Sequence, residues 1–112
     1  MTFTQAIDLL SIKSVQDKTR FLKFFLFELT IMNRAILDDH TTSDKTKIIC
    51  LKWSNELDHR LGNLLFEFER GKEKESVTKF ANHLIFYQKQ SKELSRHLTA
   101  TFKSSIRRFN SI

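Results

Sequence analysis

Histidines and carboxylates are the residues of this 112-residue sequence that could hold a metal ion. Glu56 and His59 have the Glu-x-x-His spacing that places two ligands on one helix face in di-iron bundles. Such a site needs two of these pairs and two further inward glutamates, and the sequence contains only this pair. We therefore expect no metal site and no cofactor, and we expect His83 and His97 to lie on the surface.

Arg34 and His40 could support a different chemistry, because an arginine can hold a phosphate while a histidine transfers a proton. The segment Arg34-Ala-Ile-Leu-Asp-Asp-His40 resembles the Arg-x4-6-His motif of HEPN-type ribonucleases, which are also helical bundles. The resemblance covers these two residues and implies RNA cleavage with His40 as the acid or base. In that family the motif lies late in the bundle, whereas this pair ends an early helix. The alternative is an ion pair between Arg34 and Asp38, one helical turn away, with His40 in a loop.

Other catalytic patterns are absent from the sequence. Two isolated glycines, Gly62 and Gly71, cannot form a glycine-rich phosphate loop. No serine or cysteine nucleophile stands in the context of a catalytic histidine and acid. We therefore expect a non-enzymatic protein that has no small-molecule substrate.

The composition predicts an all-α fold in a single domain over 1–112. The sequence has no proline and only two glycines, whereas a β-sheet protein of this length would need several turns built from such residues. A single cysteine, Cys50, excludes an intrachain disulfide. The first residues lack the basic and apolar regions of a signal peptide, and the longest apolar-rich run, over 21–32, is too short to cross a bilayer. We expect a soluble cytoplasmic protein that does not bind membranes.

Apolar spacing and stop signals predict an antiparallel bundle of three long helices plus a short N-terminal helix. Ser43 or Thr42 is expected to cap the helix that follows the polar loop, and Gly71 is expected to end it. No breaker interrupts the last segment, so we expect it to form one helix about 50 Å long. The predicted helices cover 3–10, 14–39, 44–70 and 76–109.

The helix over 14–39 has two apolar faces. One face consists of Phe21, Phe25, Leu29, Met32 and Ile36. The second face is rotated by about 110–120° from the first, and a small bundle has too few helices to cover both. Either the short N-terminal helix or a second copy of the chain must then pack on the second face. We expect a homodimer, because an exposed patch of this kind would be a liability. The predicted dimer contact consists of Phe24, Phe27 and Ile31.

The net charge of +6 lies entirely in the last third of the sequence. Residues 1–76 contain twelve basic and twelve acidic residues, whereas residues 77–112 contain seven basic residues and one acid, Glu93. Most of these cations fall within about 60° of one another on the predicted last helix. They form a basic stripe that consists of Lys89, Lys92, Arg96, Lys103, Arg107 and Arg108.

The basic stripe predicts a surface for an acidic partner. Nucleic acid is an alternative ligand, with Phe66 and Phe86 as candidates for base stacking, but no known nucleic-acid-binding motif accompanies the charge. A solvated face partly neutralised by Glu93, Glu67 or Glu69 is the third interpretation. We expect an adaptor-like binding or regulatory protein that engages an acidic protein.

Overall fold

Four α-helices pack together in the computed structural model, which describes residues 15–71 and 73–110. No strand occurs in these two ranges, which confirms the all-α prediction. The short helix predicted over 3–10 lies outside the described residues. The helices are α1 (Val15–Asp38), α2 (Asp44–Glu69), α3 (Glu73–Gln88) and α4 (Lys92–Asn110).

The loop between α1 and α2 is organised by the side chain of Asp39. Its carboxylate accepts hydrogen bonds from the Thr41 hydroxyl at 2.6 Å, the Thr41 backbone N–H at 2.8 Å and the Thr42 hydroxyl at 2.8 Å. These bonds, led by that from the Thr41 hydroxyl, hold the pKa of Asp39 well below its usual range. Ser43 then caps α2, because its hydroxyl accepts from the backbone N–H of Thr46 at 3.3 Å. The prediction of a cap at this position is confirmed.

Helix α2 ends as its sequence predicts. Gly71 has a φ of +82°, in the left-handed region that favours glycine, and its N–H donates to the carbonyl of Phe68 at 3.1 Å. Gly62, in contrast, lies within α2, and apart from the local helix backbone and its chain neighbours no atom lies within 4 Å of the position that a Cβ would take.

The two glycines should respond in opposite ways to substitution by alanine. Gly62→Ala is expected to raise the free energy of unfolding by about 0.5–1 kcal/mol, because glycine weakens a helix interior by this amount. Gly71→Ala is expected to lower it by about 1–2 kcal/mol, because alanine is strained at a positive φ. Urea denaturation of both variants followed by circular dichroism checks the pair, and a shift of the same sign in both would contradict it.

The prediction of one unbroken helix over 76–109 is wrong, because a turn over 89–91 separates α3 from α4. The rings of Phe80 and Phe102 lie 6.2 Å apart, whereas one straight helix would separate these positions by about 33 Å. The chain therefore doubles back. Ser91 caps α4, since its hydroxyl accepts from the backbone N–H of Leu94 at 3.2 Å and its carbonyl accepts from the N–H of Ser95 at 2.9 Å.

The four helices meet in one apolar core. The first apolar face of α1 is buried throughout, as predicted. Phenylalanine rings from three helices form its centre, since Phe25 lies 5.4 Å from Phe102 and 5.9 Å from Phe80 between ring centroids. Such edge-on ring contacts add to the free energy gained by burial.

Polar side chains join the helices at the edge of this core. The fully buried Ser54 of α2 donates its hydroxyl to the Asn33 side-chain oxygen of α1 at 2.5 Å. Tyr87 of α3 donates to Glu56 of α2 at 2.7 Å, and burial followed by this bond raises the pKa of Tyr87. Cys50 is also fully buried, and burial, reinforced by the charge of Glu93, raises the pKa of its thiol to about 11. Among the described residues no buried side-chain nitrogen or oxygen lacks a hydrogen-bond partner, and the Cys50 thiol stays uncharged.

Candidate partner-binding surface

The basic stripe is divided between a turn and a helix. Lys89 lies in the turn that precedes α4, and the other five cations belong to α4 itself. Lys92, Arg96, Lys103 and Arg107 are exposed and lie within about 60° of one another around the helix axis. The structure therefore keeps most of the stripe on one face, although Lys89 no longer extends it along the same helix.

Two arginines of the stripe are paired with carboxylates of the protein itself. Arg96 forms an ion pair with Glu93, which also lies 3.1 Å from the His97 ring, and hydrogen bonding to Arg96 lowers the pKa of Glu93. Arg108 lies 2.9 Å from Glu28 of α1, whose carboxylate is almost completely buried, with 7% of the residue exposed. Both guanidinium groups are committed to contacts within the chain, so neither is a free anchor for a ligand.

Three lysines of the stripe remain available. Lys89, Lys92 and Lys103 are exposed, and within the part of the chain that the structure describes no carboxylate lies within ion-pair distance of them. An unpaired ammonium group is a point charge on a flexible stem and can adapt to acceptors of varied geometry. These three side chains form the centre of the candidate site.

The aromatic residues considered for base stacking differ in their surroundings. Phe66 of α2 is exposed, but the Arg70 guanidinium already lies 4.4 Å from its ring centroid. Phe86 of α3 is also exposed and precedes Lys89 by three residues. Only Phe86 therefore belongs to the same part of the chain as the available lysines.

The histidines do not form a metal site. Among residues 15–71 and 73–110 no group of three or more metal-ligating side chains is close enough to hold an ion. The Glu56 carboxylate instead accepts a hydrogen bond from the Tyr87 hydroxyl, while His59 is exposed. His83 and His97, which were expected on the surface, are half-buried there, and burial lowers the pKa of His83.

The two residues that resemble the ribonuclease motif are placed at the end of α1. Arg34 lies 3.3 Å from Asp38, one turn along the helix, and both side chains are exposed. His40 is exposed in the loop that follows. This arrangement is the one expected if Arg34 serves only to pair with Asp38 and His40 is an ordinary loop residue. RNA cleavage by Arg34 and His40 stays a prediction.

The second apolar face of α1 lies largely in solvent. Phe27 is 61% exposed and Ile31 is 47% exposed, whereas Phe24 is half-buried. The dimer contact predicted for these residues stays a prediction, but its side chains have the required accessibility. No helix within the described ranges has the length and apolar character needed to cross a membrane.

Similarity to known proteins does not add a functional site to these surfaces. No protein family model matches the chain, and no curated protein or solved structure matches it. The charges and contacts of the described residues are therefore the basis on which a function can be assigned.

Proposed function

We propose that this chain is a small non-enzymatic helical-bundle protein of the cytoplasm that binds an acidic partner protein, as an adaptor or regulator does. The basic stripe is the binding surface. One observation carries the proposal: Lys89, Lys92 and Lys103 are exposed and unpaired among the described residues, in a chain whose entire net charge of +6 lies in residues 77–112.

The scaffold we infer is an antiparallel bundle. Lys23 and Asn33 of α1 contact Glu69 and Ser54 of α2, respectively, so the order of contacts reverses from one helix to the next. The same reversal holds between α2 and α3, where Glu56 contacts Tyr87 and Glu67 contacts Lys79. The short helix predicted over 3–10 stays a prediction. A bundle of this kind supports the basic stripe, most of which lies on its last helix.

An acidic protein is favoured over nucleic acid by the state of the arginines. Arginine binds phosphate through paired hydrogen bonds, but Arg96 and Arg108 are already engaged with Glu93 and Glu28. The available side chains of the stripe are lysines, and an ammonium group pairs with a carboxylate as well as with a phosphate. Nucleic acid is the second candidate, supported by the exposed ring of Phe86 close to Lys89 in the chain.

The proposal is tested by titrating a labelled glutamate-rich peptide and a labelled oligonucleotide with the protein at two salt concentrations. Lys92→Glu combined with Lys103→Glu is expected to weaken peptide binding on the order of tenfold or more, because two attractions become repulsions. Lys45→Glu combined with Lys52→Glu changes the net charge equally but on α2, so it is the matched control and should retain binding.

Several outcomes would reject this function. Equal weakening by both double variants would show an effect of net charge without a defined surface. Binding to the oligonucleotide alone, with a steep loss of affinity at higher salt, would support the nucleic-acid candidate. RNA cleavage that disappears in His40→Ala, with the fold unchanged, would support the ribonuclease alternative.

A further inference from the structure

The unpaired lysines on the exposed side of α4 form two separate poles. The first pole consists of Lys89 in the turn and Lys92 at the first residue of the helix, and the second pole is Lys103. All three residues are exposed. Lys92 and Lys103 are about 17 Å apart along the helix axis and within about 20° of one another around it. The two poles therefore lie on one line along α4.

The lysine and arginine charge between the two poles is neutralised. Arg96 is the only such cation between Lys92 and Lys103, and it forms an ion pair with Glu93. Ala100 on the same helix is uncharged and exposed. A carboxylate of a partner gains less here than at either pole, because Glu93 already balances the guanidinium charge. The face thus favours a ligand whose acids meet its two ends.

The surface around the poles is built from helices. No strand occurs in residues 15–71 and 73–110, so a partner segment cannot add to a sheet edge there. An extended segment that lies along α4 would also direct alternate side chains away from it. A helix, in contrast, directs every third or fourth side chain to one side and satisfies its own backbone hydrogen bonds. A helical segment therefore matches this face better than an extended one.

We propose that the acidic partner presents a helix to α4, with two groups of carboxylates about eleven residues apart on one side of that helix. The inference rests on the proposed function, because it specifies the partner of the basic stripe. One group of carboxylates pairs with Lys89 and Lys92, and the other pairs with Lys103. Such a spacing returns a helix to the same side after three turns, so both groups face α4 at once. The residues between them on that side are uncharged.

Two labelled peptides of identical composition test this spacing. Each is held in a helix by a side-chain lactam and carries one pair of glutamates near each end. The pairs are eleven residues apart in the first peptide and nine in the second, which turns one pair to the opposite side of the helix. The wild-type chain is expected to bind the first peptide about fivefold more tightly at low salt, because only this peptide reaches both poles.

A transposition within α4 tests whether Lys103 sets the spacing. Thr99→Lys combined with Lys103→Thr keeps the composition and the net charge, and it moves the second pole about 6 Å closer to Lys92. This variant should bind a peptide with pairs seven residues apart about threefold more tightly than the eleven-residue peptide, because seven residues make two turns. The wild-type chain should show the reverse preference.

A matched transposition on α2 provides the control. Lys52→Asn combined with Asn55→Lys moves one lysine by about 5 Å between two exposed positions outside the basic stripe. It should keep the wild-type preference for the eleven-residue peptide. Circular dichroism of each variant checks that the helical fold is retained.

Equal binding of the eleven-residue and nine-residue peptides overturns the helical pairing. A folded Thr99→Lys, Lys103→Thr variant that keeps the wild-type preference overturns it too, since Lys103 would then not set the spacing. Either result leaves the proposed function in place if a flexible glutamate-rich peptide still binds and still requires Lys92 and Lys103. A wild-type chain that binds none of the acidic peptides rejects the proposed function and this inference together.

Discussion

Phe25→Ala is expected to lower the free energy of unfolding by about 3–5 kcal/mol. Phe25 is fully buried, and its ring lies 5.4, 5.9 and 6.2 Å from those of Phe102, Phe80 and Phe21, respectively. Alanine would remove the apolar area and leave a cavity where helices α1, α3 and α4 meet. Domains are commonly stable by only about 5–15 kcal/mol, so the loss is a large fraction of the total.

Urea denaturation followed by circular dichroism measures this loss. Phe66→Ala removes the same side chain from a position that is 57% exposed, so it should cost less than about 1 kcal/mol, including its contact with Arg70. Similar losses in the two variants would show that the ring cluster around Phe25 is not the centre of the core.

Arg108→Ala is expected to lower the free energy of unfolding by about 1–3 kcal/mol, although the Arg108 side chain is 61% exposed. The cause lies in its partner, because Glu28 is buried and would keep a carboxylate without an opposite charge. Removing one member of such a pair costs more than the pair contributes when both are present. Arg108 thus contributes to the attachment of α4 to α1.

A double-mutant cycle measures this coupling by urea denaturation. Glu28→Gln in the Arg108→Ala background should recover part of the loss, because the neutral amide is less costly to bury without an ionic partner. Lys103→Ala is the control on the same helix and should change stability by less than about 0.5 kcal/mol. An effect of Glu28→Gln that is the same with and without Arg108 would contradict the coupling.

The first two described helices could be predicted from the sequence because local signals define them. Helix α1 ends one residue before the predicted position, and α2 begins at Asp44 after the expected cap. Gly71 has the left-handed conformation that its position implied. Caps, glycines and apolar periodicity act within a few residues, so they can be read without knowledge of the fold.

The break between α3 and α4 could not be predicted from periodicity. An apolar seam, which consists of Phe80, Leu84, Tyr87, Ser91, Leu94, Leu98 and Phe102, runs across the break with steps of three and four residues, as it would in one helix. Ser91 is the one polar residue of that seam, and Glu93 follows it in the first turn of α4. This cap was the only local signal of the turn, and the regular seam obscured it.

The candidate site was predictable in its charge but not in its contacts. The sequence locates the excess cations in residues 77–112, and Glu93 is close enough along the chain to pair with Arg96. The pair between Glu28 and Arg108 joins residues 80 positions apart, so no sequence spacing indicates it. Contacts of this range depend on which helices become neighbours, and that depends on the unforeseen turn.

Because Cys50 is buried, its reaction with a thiol reagent measures how often the helices of the bundle separate. Its thiol is inaccessible, and its pKa of about 11 keeps it protonated at neutral pH, so an alkylating reagent cannot react with it in the closed bundle. Since it is the sole cysteine of the chain, any alkylation records an event in which the helices separate. The rate of that reaction is a direct readout of how often the native state exposes its core.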